Sequence, residues 1–164
     1  MKLYIKEKIF SLHNRYFIKD EQDNNILEIS SKAISIGSKT WIKDPNGKEL
    51  AYIEQELFHL MPNYNVFING QKVFNIKKKF KFFKNDYELS NNYKVEGNFL
   101  SHNFTVLNDK GEKVGEITRK YLTIGDQYNI DIIDEKDYIL ILTIIVAITN
   151  DIDRAQASAA ASSS

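Results

Sequence analysis

Residues 138–148 read Tyr-Ile-Leu-Ile-Leu-Thr-Ile-Ile-Val-Ala-Ile, with one polar side chain, Thr143, and no charge. Ile-rich composition alone suits a strand. Fully buried strands, however, usually run about 4–8 residues, and this stretch is longer. Its flanks favour a helix. Asp134, Glu135 and Asp137 offer a capping side chain and place carboxylates where the helix dipole is positive. Asn150 tolerates the left-handed conformation that ends many helices. A helix with no polar face belongs in a core or in a membrane. A span needs about 20 apolar residues, and Asp137 and Asp151 bracket this run. The expectation is a buried core helix over about 134–150, around which the rest of the chain folds. A buried strand and a membrane-associated segment are the alternatives.

Everything before it reads as short strands and turns. Alternating or apolar segments occur at 3–5, 15–19, 26–30, 40–43 and 50–60. They continue at 64–68, 72–76, 80–83, 87–89, 93–96, 103–107, 114–124 and 128–133. Between them lie the polar cluster 20–25, the bend at Ser35 to Ser38, Asp44-Pro45-Asn46-Gly47, Asn69-Gly70 and Asn108-Asp109-Lys110-Gly111. Asn-Gly accepts positive φ and is a two-residue hairpin signal. A shift of 64 positions carries Gly47 onto Gly111, Ile53 onto Ile117 and Tyr64-Asn65-Val66 onto Tyr128-Asn129-Ile130. Two copies of one meander suit a closed antiparallel barrel with approximate twofold character. Closure removes free sheet edges. A wide barrel leaves a lumen that wall side chains cannot fill, and an apolar helix threading it supplies the core. The expected fold is mainly β, a single domain over residues 1–153, with residues 154–164 a low-complexity tail without fixed structure.

Composition narrows the function classes. The 164 residues carry 22 basic and 22 acidic side chains, so no global field draws the chain to nucleic acid or to a membrane. The absence of cysteine excludes a disulfide scaffold, thiolate metal sites and a Cys nucleophile, and fits a reducing cytoplasm. Met1 to Lys8 alternates, carries charge early and has no apolar region of the secretory kind.

The ordered set of short motifs resembles the LURP-one-related family, which shares its fold with the Tubby C-terminal domain and the phospholipid scramblases. The segments that carry it are Met1 to Ile5, Tyr16 to Asp20, Ser35-Ile36-Gly37 and Ile42 to Gly47. Tyr93-Lys94-Val95-Glu96-Gly97-Asn98-Phe99 is the most specific, followed by Gly111 to Ile117, Gly125 to Tyr128 and the C-terminal apolar run. Tyr93 is a departure, since similar sequences carry Trp there. The resemblance implies a barrel of about twelve antiparallel strands around a hydrophobic C-terminal helix. Tubby domains bind phosphoinositides and scramblases act at membranes, but fold alone does not fix function.

The best candidate for chemistry is a basic–aromatic stretch. Lys77, Lys78, Lys79, Lys81 and Lys84 put five lysines in eight positions, interleaved with Phe80, Phe82 and Phe83. Such a stretch can meet an anionic lipid headgroup or another phosphoryl ligand. The plainer reading is a strand with lysines in water and phenylalanines in the core. His13, His59 and His102 show no metal-ligand spacing. Asp131, Asp134, Glu135 and Asp137 lack the calcium-loop pattern and suit a helix N-terminus. The glycines form neither a phosphate loop nor a nucleophile elbow. The expectation is a non-enzymatic barrel, without cofactor or metal, that binds an anionic lipid or membrane surface. A protein-interaction module with an unknown protein partner is the alternative. A hydrolase with a strand-borne triad leaves no local signature and would show a cavity lined by an acid and His59 or His102.

Overall fold

Strands form where inward apolar residues alternate with outward polar ones. In the computed structural model, which describes residues 1–6, 15–33, 37–81, 84–122 and 125–163, twelve segments do so. They are β1 (Lys2–Lys6), β2 (Arg15–Lys19), β3 (Asn25–Ala33), β4 (Ser38–Lys43), β5 (Glu49–Gln55) and β6 (Asn63–Ile68). The second half comprises β7 (Gln71–Lys81), β8 (Lys84–Leu89), β9 (Lys94–Asn98), β10 (Asn103–Leu107), β11 (Lys113–Tyr121) and β12 (Asp126–Ile132). The bend at residues 35–36, the phenylalanines at 82–83, the end of the expected 114–124 strand and His13 lie outside the described residues.

All twelve strands belong to one antiparallel sheet in the order β8-β7-β6-β5-β4-β3-β2-β1-β12-β11-β10-β9. The first strand pairs with the last, Leu3 opposite Ile130, which bends the sheet round on itself. The ladder opens between β8 and β9. The expected closed barrel is therefore nearly closed, with one seam. On one side of the seam, Gly97 in β9 lies close to β10. It has φ 144°, and a Cβ there would lie 2.4 Å from the Asn103 carbonyl oxygen and 2.7 Å from the Phe104 Cα. That close approach holds β9 against β10.

The repeat is present in register as well as in sequence. Thr40 faces Ile53 as Phe104 faces Ile117, and both ladders slip by one residue just before the turn, at Ile42/Lys43 and Val106/Leu107. The turns match too. Asp44 Oδ1 accepts from the amides of Asn46 and Lys48, both at 2.9 Å. Asn108 Oδ1 accepts from Lys110 and Glu112, at 3.0 and 2.9 Å. These are Asx turns, in which a short polar side chain stands in for backbone. By strand order, β8 and β9 are the counterparts of β2 and β3, which do pair, Tyr16 opposite Ile29.

The helix α1 (Tyr138–Ser162) runs through the barrel and is buried from Ile141 to Asp153. Its start is preceded by a 3-10 turn, Glu135–Asp137, whose N-cap Asp134 accepts from the Lys136 amide at 3.1 Å. The helix so begins later than expected and ends much later. Asn150 does not stop it, and residues 154–162 are helical rather than without structure, exposed from Ala155 on. Two physical reasons account for this. Asn150, Asp151 and Asp153 find partners in the barrel wall, and the alanines beyond them have high helix propensity.

Alternate strand directions divide the connections between two ends. One end carries the tight turns near residues 20–24, 44–48, 69–70, 90–93 and 108–112, and the start of α1. The other, the loop end, carries the connections 56–62 and 99–102, the end of β11, and the emerging C-terminal half of α1.

Candidate functional site

Lys78 lies where strand alternation puts it. Phe74, Ile76 and Lys78 share the inner face of β7, and Lys78 is only 8% exposed. Its Nζ donates to Asp151 Oδ2 at 2.8 Å. Asp151 also accepts from the Tyr87 hydroxyl, at 2.7 Å, and from the Tyr64 hydroxyl through its other oxygen. One helix carboxylate therefore gathers three donors from β6, β7 and β8. A buried charge without such partners would be strongly destabilising.

The neighbouring helix positions extend this into a collar at the loop end. The Tyr16 hydroxyl donates to Asn150 Oδ1 at 3.3 Å, and Asn150 Nδ2 lies 3.4 Å from both Ser31 Oγ and Thr40 Oγ1. Asp153 Oδ1 lies 2.7 Å from His102 Nε2. The guanidinium of Arg154 stacks over the Tyr64 ring, 5.6 Å from its centroid. Burial, reinforced by Asp151, pushes the Tyr64 and Tyr87 phenols well above their ordinary value. Burial also raises Tyr128 to about 12. The collar fixes the rotation and depth of α1, with Asp151 and His102 both buried in it.

The basic stretch is thus divided. Lys78 cannot serve an external ligand, because its ammonium is committed inside the barrel; this corrects its place among the expected contact residues. Lys77 and Lys79 point outward, and Lys79 pairs with Glu88 at 3.0 Å. Lys81 and Lys84 lie at the facing ends of β7 and β8, and their side chains fall outside the described residues. Phe80 has the inward parity yet is 73% exposed, because β7 runs past the barrel rim there.

Phe80 belongs to a larger apolar group that sequence reasoning missed. Phe58 and Leu60 are 99% and 101% exposed on the connection between β5 and β6. Leu57, Leu100, Tyr121 and Leu122 are also exposed, and topology places all of them at the loop end. Phe58 adopts φ 64°, an unusual conformation for a bulky residue. Lys77 and Lys120, near the same rim, make no ion pair among the described residues. The signal that could have found this rim is the run Leu57-Phe58-His59-Leu60-Met61 within a connection rather than a strand.

His59 lies on this connection, 2.9 Å from Glu56. His102 does meet an acid, Asp153, but both are buried. Among the described residues no group of three or more ligating side chains is placed to hold a metal ion. A separate cleft of about 930 Å³ follows the seam between β8 and β9, with Tyr87 and Phe99 among its lining residues and no histidine.

Fold and site together define a class: a helix-threaded, nearly closed antiparallel barrel with a polar collar inside one end and apolar side chains outside it. The chain belongs to the LURP-one-related family, whose family model matches residues 1–149. It is 27% identical over 149 residues to "Uncharacterized protein YxjI" of Bacillus subtilis (strain 168), a match covering 90% of this chain and 91% of that protein. The fold is similar to the X-ray structure of the Arabidopsis thaliana protein AT5G01750. There the TM-score is 0.63 and the identity 16%, with 93% of this chain and 91% of that one covered.

Proposed function

We propose that this protein is a cytoplasmic, non-enzymatic barrel that docks peripherally on anionic membrane surfaces through its loop end. The observation that carries the reading is the gathering of Phe58, Leu60, Leu100, Tyr121 and Leu122 at one end of the barrel, fully or largely exposed. Apolar side chains at loop tips enter the interfacial region of a bilayer, where each buried area contributes favourably. Lys77 on β7 and Lys120 near the end of β11 are exposed and, in this reading, meet anionic headgroups worth about 1 kcal/mol per cation. Among the described residues no helix is long and apolar enough to cross a bilayer, so attachment in this reading rests on the rim.

Flotation with vesicles of graded phosphatidylserine content tests it. Binding should rise with anionic fraction and fall between low and moderate salt, because surface charge pairs are screened. The pair Phe58→Asp, Leu60→Asp should abolish flotation, and Lys77→Glu, Lys120→Glu should weaken it most at low salt. Absence of flotation at every anionic fraction would remove the reading.

A further inference from the structure

We infer that the seam between β8 and β9 is a second binding site, which takes an extended peptide with basic side chains as an added strand. The internal repeat supplies the comparison. In the first half of the chain, β2 and β3 satisfy each other's backbone groups through a ladder. In the second half, the corresponding strands β8 and β9 are the two free margins of the sheet. A sheet edge offers a row of backbone donors and acceptors, which proteins cover or pair. Here a cleft of about 930 Å³ runs between the two edges. β8 spans six residues, which at about 3.3 Å each is roughly 20 Å of edge, the reach of a short strand.

The cleft's lining selects the occupant. Tyr87 and Phe99 stand edge to face, ring centroids 5.1 Å apart, and are both buried. They give apolar side chains of the peptide a place to rest. Around them stand Glu96 and Asp109, exposed and without an ion pair among the described residues, against Lys94, while Glu88 and Lys79 pair with each other. Glu96 and Asp109 favour a cationic partner and disfavour an anionic headgroup. Strand addition draws affinity from main-chain hydrogen bonds and specificity from alternate side chains. The seam has a different partner chemistry from the loop-end rim, although Phe80 stands at both.

The test uses the full chain and a fluorescein-labelled alternating lysine–valine heptapeptide. Two controls share its length: a glutamate–valine analogue, and the lysine–valine peptide N-methylated at alternate residues. Saturable binding of the first peptide is expected, with both controls at least about tenfold weaker. Backbone amides at 86–89 and 94–97 should exchange more slowly in its presence. Glu96 and Asp109 are exposed, so Glu96→Lys, Asp109→Lys keeps the fold and should shift preference toward the glutamate–valine peptide. Equal binding of the N-methylated peptide would reduce the site to charge attraction and overturn strand addition. Absence of saturable binding, or protection confined to other strands, would also overturn it. Protection of the same amides by raising protein concentration alone would assign the seam to a second copy of this chain instead.

Discussion

The ammonium of Lys78 and the carboxylate of Asp151, 73 positions apart in the chain, meet at 2.8 Å inside the barrel wall. This contact joins the central helix to β7 at the end where the helix leaves the barrel. With Tyr64 and Tyr87 on the same carboxylate, it makes the wall and the helix one cooperative unit.

Breaking this pair from one side should be severe. Lys78→Met leaves a buried carboxylate without its cation, and Asp151→Leu leaves a buried ammonium without its anion. Each should destabilise by about 3–5 kcal/mol. The double variant should be clearly less unstable than the sum, because the two changes share one interaction. Urea unfolding of the four proteins measures the coupling; additive losses would mean that the pair does not act as a unit.

Truncations should separate the two halves of the helix. Residues 155–163 are exposed, so ending the chain after Arg154 should shift the thermal midpoint little. Ending it after Ile148 removes Asn150, Asp151 and Asp153 and strands Lys78, His102 and the tyrosines. Ending it after Ile133 removes the core itself. The second truncation should unfold at a much lower temperature, and the third should show no cooperative transition.

Two glycines report on close packing. A Cβ at Gly115 would lie 2.5 Å from Ile141 Cγ2, a helix side chain. Gly115→Ala should therefore destabilise by about 1–3 kcal/mol as an overpacking change, and Ile141→Ala should relieve that penalty. At Gly97 the obstruction is the Asn103–Phe104 backbone, which cannot rotate away. Gly97→Ala should be the more damaging substitution, with no single side-chain change that rescues it.

Alkaline pH should weaken the fold. Tyrosine ionises near 10 in an unfolded chain, while burial raises Tyr64, Tyr87 and Tyr128 in the folded one, Tyr128 to about 12. The folded state holds these protons where the unfolded state releases them. Their contribution is complete below about pH 10 and is lost as pH rises toward the folded values. Each contributes a slope of up to about 1.4 kcal/mol per pH unit. Denaturation at pH 8, 10 and 11 gives the slope. Phenolate absorbance should show an early group of tyrosines and a late group that ionises only on unfolding; a single reversible step near pH 10 would contradict the collar.

The barrel and its helix were legible because burial writes itself into periodicity. Thr40, Ile42, Ala51 and Ile53 alternate inward along their strands, and Ile141 to Ile148 is apolar on every side. The tight turns were legible from Asp44, Asn108 and their glycines. The collar was only half legible. Alternation through Phe74 and Ile76 already points Lys78 inward, but three adjacent lysines look alike, and no local pattern reveals a partner 73 positions away. Asp151 and Asn150 read as the helix boundary because a polar residue's wall partners are a tertiary fact. The seam was illegible for the same reason: β8 and β9 look like any hairpin, and that they do not pair is a tertiary fact. The loop-end rim depends on which connections fall at the same end, which strand order alone determines.

Depth-dependent quenching tests the membrane-facing rim most directly. Phe58→Trp in a Trp41→Phe background leaves one indole, at the most exposed part of the loop end. Vesicles with bromine along the acyl chains and an anionic headgroup fraction serve as quenchers. The account predicts a blue shift and strong quenching that vanishes when Leu60→Asp is added or when the vesicles are neutral. An indole that stays red-shifted and unquenched at low salt, with the protein folded, would contradict it.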